Sequence, residues 1–470
     1  MKILHVGWWI TPYRYGGAIN AALTLMEQQV EDGDEVYYFC GGSYNILKRS
    51  PYIRKWGKHN ITIYELVNSP NLVGQYGKPL QECHHYQIER QFIKVLSEVN
   101  PDVIQFHEFE SLCGSLIGVA KSLNYPVVVF LRNYWPLCPQ RDLLDSSGKI
   151  CDDFNHGWKC IDCKVRSSSP KLGWMLLALA RETKTWPLVE LFLSHAKSIY
   201  EKLSSFRRPS TQDNISSSKA KEFLYRRVFF LTMLEKADRI LAISSRTAEI
   251  YQSFGLSGAK VTVFPSVSKA LYLIKPKKIG AWQPPITFGY IGGINYHKGV
   301  HILIEAFKGL PQDKARLLIF GKASNHSYMS LLRQKVWNSS IEFRGPYGLR
   351  DINKVLKEID VGVVPSIWEE ALGLVVLEFL RARIPVIASN IGGIPDYVHH
   401  RKDGLLVKPD NSSDLKEKML YFIDRPERIT SFQSRIKPLK FFDNYSNHMK
   451  KIYDLILLDR ETSRCLNRKK

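Results

Sequence analysis

Short aliphatic runs alternate with longer stretches in which apolar positions recur every three or four residues. Near the N-terminus, residues 3–9 (ILHVGWW) read as a buried strand and Tyr15-Gly16-Gly17 as a turn. Residues 18–33 then read as an amphipathic helix and 34–40 (DEVYYFC) as a second strand. Residues 101–107 and 126–135 are apolar runs ending in polar groups, and 236–246 gives another strand followed by a helix start. Residues 286–299 form a β-rich run that closes in a glycine-bracketed loop carrying Lys298, and 300–307 are apolar at helical spacing. Residues 315–321, 341–345, 360–365 and 385–393 repeat the short apolar run between helical segments. This alternation predicts parallel sheets covered by helices. In the tail, Tyr445, Met449, Ile452, Tyr453 and Ile456 share one helical face and predict a helix.

A chain of 470 residues exceeds a single hydrophobic core and suits two domains. With 44% hydrophobic and 24% charged residues the composition is that of a globular protein. No run reaches the roughly 18 apolar residues of a membrane span, and the first residues enter a strand without a leader pattern. A cytoplasmic location is therefore expected. The formal net charge is +21, and residues 164–227 hold thirteen Lys/Arg against five Asp/Glu. Beside Trp174, Trp186 and several leucines, that excess fits either a face resting on anionic lipid or a solvated basic surface over core helices. Without a zinc-finger, RRM or helix-turn-helix signature, nucleic acid is not among the expected partners.

The most informative stretch is residues 365–378, PSIWEEALGLVVLE. Glu370 and Glu378 stand eight residues apart around Gly373, and the aliphatics from Leu374 onward read as a helix start. Open amides at a helix N-terminus attract anions. A carboxylate within an apolar face is costly unless a specific partner meets it. One acid before and one behind a phosphate seat suits a nucleotide diphosphate sugar. The loop of Gly292, Lys298 and Gly299 adds a cation on a flexible backbone, without P-loop spacing. Gly16 and Gly17 open a helix that can face an anion, and His107 closes a strand where ligands of parallel sheets gather.

Cys138, Cys151, Cys160 and Cys163 lie within 26 residues as C-x12-C-x8-C-x2-C. A structural zinc is one reading of that spacing, with His156 as a substitute ligand. Free thiols are the second, and an iron–sulfur cluster or disulfides the third.

Together, the E-x7-E pair, the Lys298-Gly299 loop and the turn Gly392-Gly393-Ile394-Pro395 resemble the retaining glycosyltransferases of family 4. The resemblance is dense in the C-terminal half and looser in the N-terminal half. It implies an α/β fold of the GT-B architecture, two facing Rossmann-like domains with a cleft between them. On it we expect an N-terminal acceptor domain over 1–275, with a cysteine-rich insertion at 138–163 and a basic amphipathic region at 164–230. A linker is expected at 276–285, a nucleotide-sugar domain at 286–430, and a tail at 431–470 that crosses back. The implied reaction moves a hexose from a nucleotide diphosphate sugar to a growing cell-surface glycan or lipid-linked acceptor in polysaccharide biosynthesis. No cofactor is expected for catalysis.

The resemblance makes Glu370 and His107 the catalytic residues, on the transferring sugar. It places Gly16, Gly17, Gly292, Lys298, Gly373, Leu374 and Glu378 on the donor. An epimerase or phosphorylase of the same architecture, or a non-catalytic scaffold, are the alternatives. Two departures stand out: Arg132-Asn133 replace a usual His-Asp, and Gly293 replaces an arginine, for which Arg132 or Arg246 are candidate substitutes.

Overall fold

The computed structural model describes the chain except for residues 10–15, 46, 49, 72–77, 146, 153, 165–216, 281–283, 324, 337–339, 440–442 and 469–470. The described strands fall into two sheets, each within its own compact unit.

The first unit comprises residues 1–243, 247–264 and 444–470. Its strands are β1 (Lys2–Trp8), β2 (Glu35–Ser43), β3 (Tyr52–Lys58), β4 (Ile61–Val67), β5 (Val103–Phe106), β6 (Val127–Leu131), β7 (Arg239–Ala242) and β8 (Val261–Val263). They are ordered β3-β4-β2-β1-β5-β6-β7-β8, and all neighbours are parallel except the β3–β4 hairpin. The inner strands are buried on both faces, so β6 reads as an unbroken apolar run, and the buried parts of β1 and β5 are interrupted only by His5 and Gln105. The helix Tyr445–Arg468 belongs to this unit and buries Tyr445, Met449, Tyr453 and Ile456.

The second unit holds residues 244–246 and 265–443. Its strands are β9 (Ile286–Ile291), β10 (Ala315–Phe320), β11 (Ile341–Gly345), β12 (Val361–Val364), β13 (Val386–Ser389) and β14 (Gly404–Val407), ordered β11-β10-β9-β12-β13-β14 and all parallel. Its core joins Phe288, Leu303, Phe307, Leu317 and Val363 to Met419 and Phe432.

The chain passes between the units at 243/244, 246/247, 264/265 and 443/444, beside the expected bounds of 275 and 431. The described part of the expected linker is packed: the Lys277 N–H donates to Ala382 O at 2.9 Å, and its ammonium is 3.8 Å from Asp360. Proline and lysine content marked a loop there without revealing that the loop is anchored.

Most of the basic amphipathic region, with Trp174 and Trp186, lies outside the described residues. Its described end is the helix Ser217–Glu235, where Arg226 and Arg227 are buried instead of lipid-facing. Arg226 ion-pairs with Glu82 and donates from Nη2 to Trp135 O at 2.9 Å. Arg227 Nε donates to Leu137 O at 3.0 Å, with its guanidinium over the Phe154 ring. Two arginines thus fasten residues 135–137 to the helix. Among the described residues no helix is long and apolar enough to cross a membrane.

Candidate functional site

In the second sheet β9 has β10 on one side and β12 on the other, so the strand order reverses between β9 and β12. Loops leaving the carboxyl ends of two such strands frame the ligand crevice of an open α/β sheet. The β9 loop runs through Gly292 and Lys298, and the β12 loop through residues 365–373. Their close approach is built around Gly299, which has φ +72° and leaves no room for a Cβ against Pro365 O. The Ile367 N–H also donates to His297 O at 2.9 Å.

That packing brings Lys298 onto Glu370, with which it ion-pairs, while Ser366 Oγ donates to the same carboxylate at 2.9 Å. Burial alone would raise the Glu370 pKa, but the Lys298 charge and the hydrogen bonds prevail and hold it below the ordinary value. The ammonium also lies 5.0 Å from the centre of the Trp368 ring. Burial, then the Lys298 charge, lowers His297 to about 4 and keeps it neutral. Arg246 reaches the adjacent Glu369, Nη2 to Oε1 at 3.0 Å, and so brings a second cation to this loop. At Gly293, where the arginine is missing, the carbonyl accepts from Tyr290 OH at 2.6 Å.

The helix Leu374–Arg381 begins at Gly373, whose φ of +77° turns the chain into it. The Val376 N–H of the first turn donates to Gly373 O at 2.8 Å, while the amides of Leu374 and Val375, which have no carbonyl one turn earlier, are left for an anion. Glu378 follows on the same helix, buried, and no described residue donates a hydrogen bond to it. Burial pushes its pKa up to about 7. Lys298, Glu370, Gly373, Leu374 and Glu378 thus belong to one unit and to adjoining loops. Ser366, Trp368 and Glu369 were not singled out from sequence, although all three lie inside the stretch that was; Arg246 was named there as a substitute cation.

In the first unit, Gly16 caps a helix that begins at Gly17, and the loop before it lies outside the described residues. His107 does not present a free ring. Arg132 Nε donates to its Nδ1 at 3.2 Å, so the proton sits on Nε2 and points to His5 Nδ1, 2.8 Å away. His5 Nε2 then donates to Gln29 Oε1 at 2.8 Å. The chain continues from Gln29 to Tyr453 OH and from there to Gln105. Burial first and the Arg132 charge second hold His107 well below its usual pKa. Both ring nitrogens of His107 are thus engaged inside the protein. Arg132 is likewise buried here.

Cys138, Cys151 and Cys163 all lie within electrostatic reach of Cys160, whose thiol burial pushes up to about 12. The Arg227 guanidinium stands beside Cys160, Cys138 and Cys151 and supplies fixed positive charge there. Among the described residues, no three His, Cys, Asp or Glu side chains are arranged to hold a metal ion. The sequence spacing thus brings the four thiols into one neighbourhood.

Residues 274–437 match the family model described as Glycosyl transferases group 1. The chain is 32% identical to the uncharacterized glycosyltransferase MJ1607 of Methanocaldococcus jannaschii over 141 residues, which are 30% of this chain and 36% of that protein. It spans 36% and 54% of the lengths of two such curated relatives. Two solved structures are similar along essentially the whole chain. Sucrose-phosphate synthase from Thermosynechococcus elongatus has 16% identity and a TM-score of 0.63, covering 98% of this chain and 100% of that one. HepE of Anabaena in complex with UDP has 15% identity and a TM-score of 0.59, covering 100% of both. The fold is therefore GT-B: two α/β domains, each built on a predominantly parallel sheet.

Proposed function

We propose that the chain is a retaining glycosyltransferase that moves a hexose from a nucleotide diphosphate sugar to a growing cell-surface glycan or lipid-linked acceptor. The observation that carries this reading is the Lys298–Glu370 ion pair, followed in the chain by the Gly373 helix start and the buried Glu378 on that helix, in the stretch matched by the Glycosyl transferases group 1 model. A structural neighbour with UDP bound supports a nucleotide diphosphate as ligand. The diphosphate takes the Lys298 ammonium and the Gly373–Leu374 helix end. Lys298 keeps its contact with Glu370 Oε1, and the carboxylate accepts hydrogen bonds from sugar hydroxyls. Glu378 accepts from the ribose hydroxyls. As the glycosidic bond breaks, negative charge accumulates on the diphosphate, where a fixed cation and oriented amides stabilise it electrostatically.

Glu378 gives a test in which binding and stability move in opposite directions. Its folded pKa of about 7 lies above the ordinary glutamate value of 4.5. The native state therefore binds the extra proton, and this site costs stability as pH rises from the lower value through the upper one. Glu378→Gln should raise the melting temperature at pH 8 and leave it nearly unchanged at pH 5. The same variant should bind UDP about 10- to 100-fold more weakly, because a charged hydrogen-bond acceptor is lost. Calorimetry with UDP and thermal melts at both pH values measure this. Wild-type UDP affinity in the variant would remove Glu378 from the donor site. UDP-glucose binding with neither transfer nor hydrolysis by the wild type would favour the non-catalytic scaffold.

A further inference from the structure

In the first sheet the strand order reverses at β1, which pairs with β2 on one side and β5 on the other. The carboxyl ends of β1 and β5 thus form a second switch point, again a place where ligands settle. Two polar residues leave β5 there, His107 and Glu108. The ring nitrogens of His107 are both engaged internally. Glu108 differs. It is 6% exposed, and its Oε2 accepts from Asn133 Nδ2 at 2.7 Å. No described residue donates to Oε1.

Asn133 is held in one orientation: its Oδ1 accepts from the Trp135 N–H at 2.9 Å, and its carbonyl accepts from Tyr251 OH at 2.8 Å. The carboxylate is therefore fixed in place with one open acceptor atom. The charged and titratable groups around it are Arg132 and Arg141, with Tyr38 and Tyr251.

We propose that Glu108 Oε1 accepts a hydrogen bond from a hydroxyl of the sugar or polyol that receives the transferred hexose, and so orients the acceptor. The proposal rests on the glycosyltransferase reading above. The neighbouring charges select the ligand class. Arg132 and Arg141, the latter 2.8 Å from Glu110, balance the Glu108 and Glu110 carboxylates, so neither a cationic nor an anionic ligand meets an uncompensated opposite charge. A neutral hydroxyl satisfies the open oxygen without needing one. Burial supports the pH arm of the test, since it raises the Glu108 pKa to about 7. The ionised form is the better acceptor, so binding should strengthen as pH rises through that value.

Glu108→Gln keeps the shape and reverses the contact. Asn133 presents its amino group, so the glutamine oxygen must face Asn133 and its amino group must face the ligand. The full chain, fluorescently labelled and saturated with UDP, is applied to an array of neutral hexose- and polyol-terminated glycans at pH 8 and pH 6. The wild type should retain a subset at pH 8 and bind it about 10-fold more weakly at pH 6. Glu108→Gln should weaken retention about 10- to 100-fold. Glu108→Asp, which withdraws the carboxylate by one methylene, should do the same. UDP affinity measured by calorimetry should be unchanged in both variants. Equal retention by wild type and Glu108→Gln, no pH dependence, or no glycan retained by the wild type would overturn the proposal. Absence of UDP binding by the wild type counts instead against the donor-site reading. The pH arm needs no substitution and so still decides the matter if a variant fails to fold.

Discussion

Replacing Lys298 with methionine should slow sugar release from UDP-glucose about 100- to 1,000-fold, the range for removing one electrostatic group from a developing anion. Lys298 is the cation that holds Glu370 ionised in a buried setting. Its loss therefore acts twice. The departing diphosphate loses a counter-charge, and Glu370 is left with Ser366 and no ammonium. Burial then raises the Glu370 pKa, so the variant's carboxyl takes up a proton at a pH where the wild-type group stays charged. The residual rate of Lys298→Met should climb with pH over a range in which the wild-type rate is flat on that account. Steady-state rates from pH 5.5 to 8.5, with melts to confirm folding, measure both effects. A variant with unchanged turnover would show that the Lys298–Glu370 pair is structural and that the diphosphate is held elsewhere.

The two loops that bring Lys298 onto Glu370 were legible in the sequence because each of their determinants is local. Gly299 and Gly373 adopt left-handed backbone that favours glycine, and the aliphatics after Gly373 announce their helix without any knowledge of distant contacts. Strands buried on both faces advertise themselves in the same way, which is why the parallel sheets could be expected. What could not be read was which polar groups would meet across the sheet. His107 at a strand end carries no sign that Arg132, 25 residues later, will occupy its Nδ1. Nothing local shows that His5 and Gln29 will extend the chain to Tyr453 on the last helix. The basic run failed for the same reason. Arg226 and Arg227 look like surface charge until Glu82 and the carbonyls of residues 135–137 fold against them. Glu108 was overlooked beside His107, because a lone carboxylate at a strand end looks like any solvated acid until its burial and its bond to Asn133 are known.

Those buried arginines lead to the largest expected effect on stability: Arg226→Ala should cost about 3–5 kcal/mol, the range for removing one partner of a buried ion pair. Arg226 is 1% exposed, pairs with Glu82, and lies 4.8 Å from the Trp135 ring centre and 4.7 Å from that of Phe230. Its removal orphans the Glu82 carboxylate and frees the carbonyls of Trp135 and Pro136. The damage should grow with pH. Burial already raises the Glu82 pKa, and the Arg226 charge is the chief force lowering it. Without that charge the folded pKa rises further. A carboxyl whose folded pKa lies above its unfolded value costs stability above the unfolded value, increasingly so as pH rises to the folded one. The melting temperature of Arg226→Ala should therefore fall further below wild type at pH 8 than at pH 5. Denaturant unfolding at the two pH values, with anionic and neutral vesicles in parallel, separates this from a lipid-facing role. A lipid-facing Arg226 would leave the unfolding midpoint in place and weaken vesicle binding, whereas a buried clamp moves the midpoint with no vesicle present.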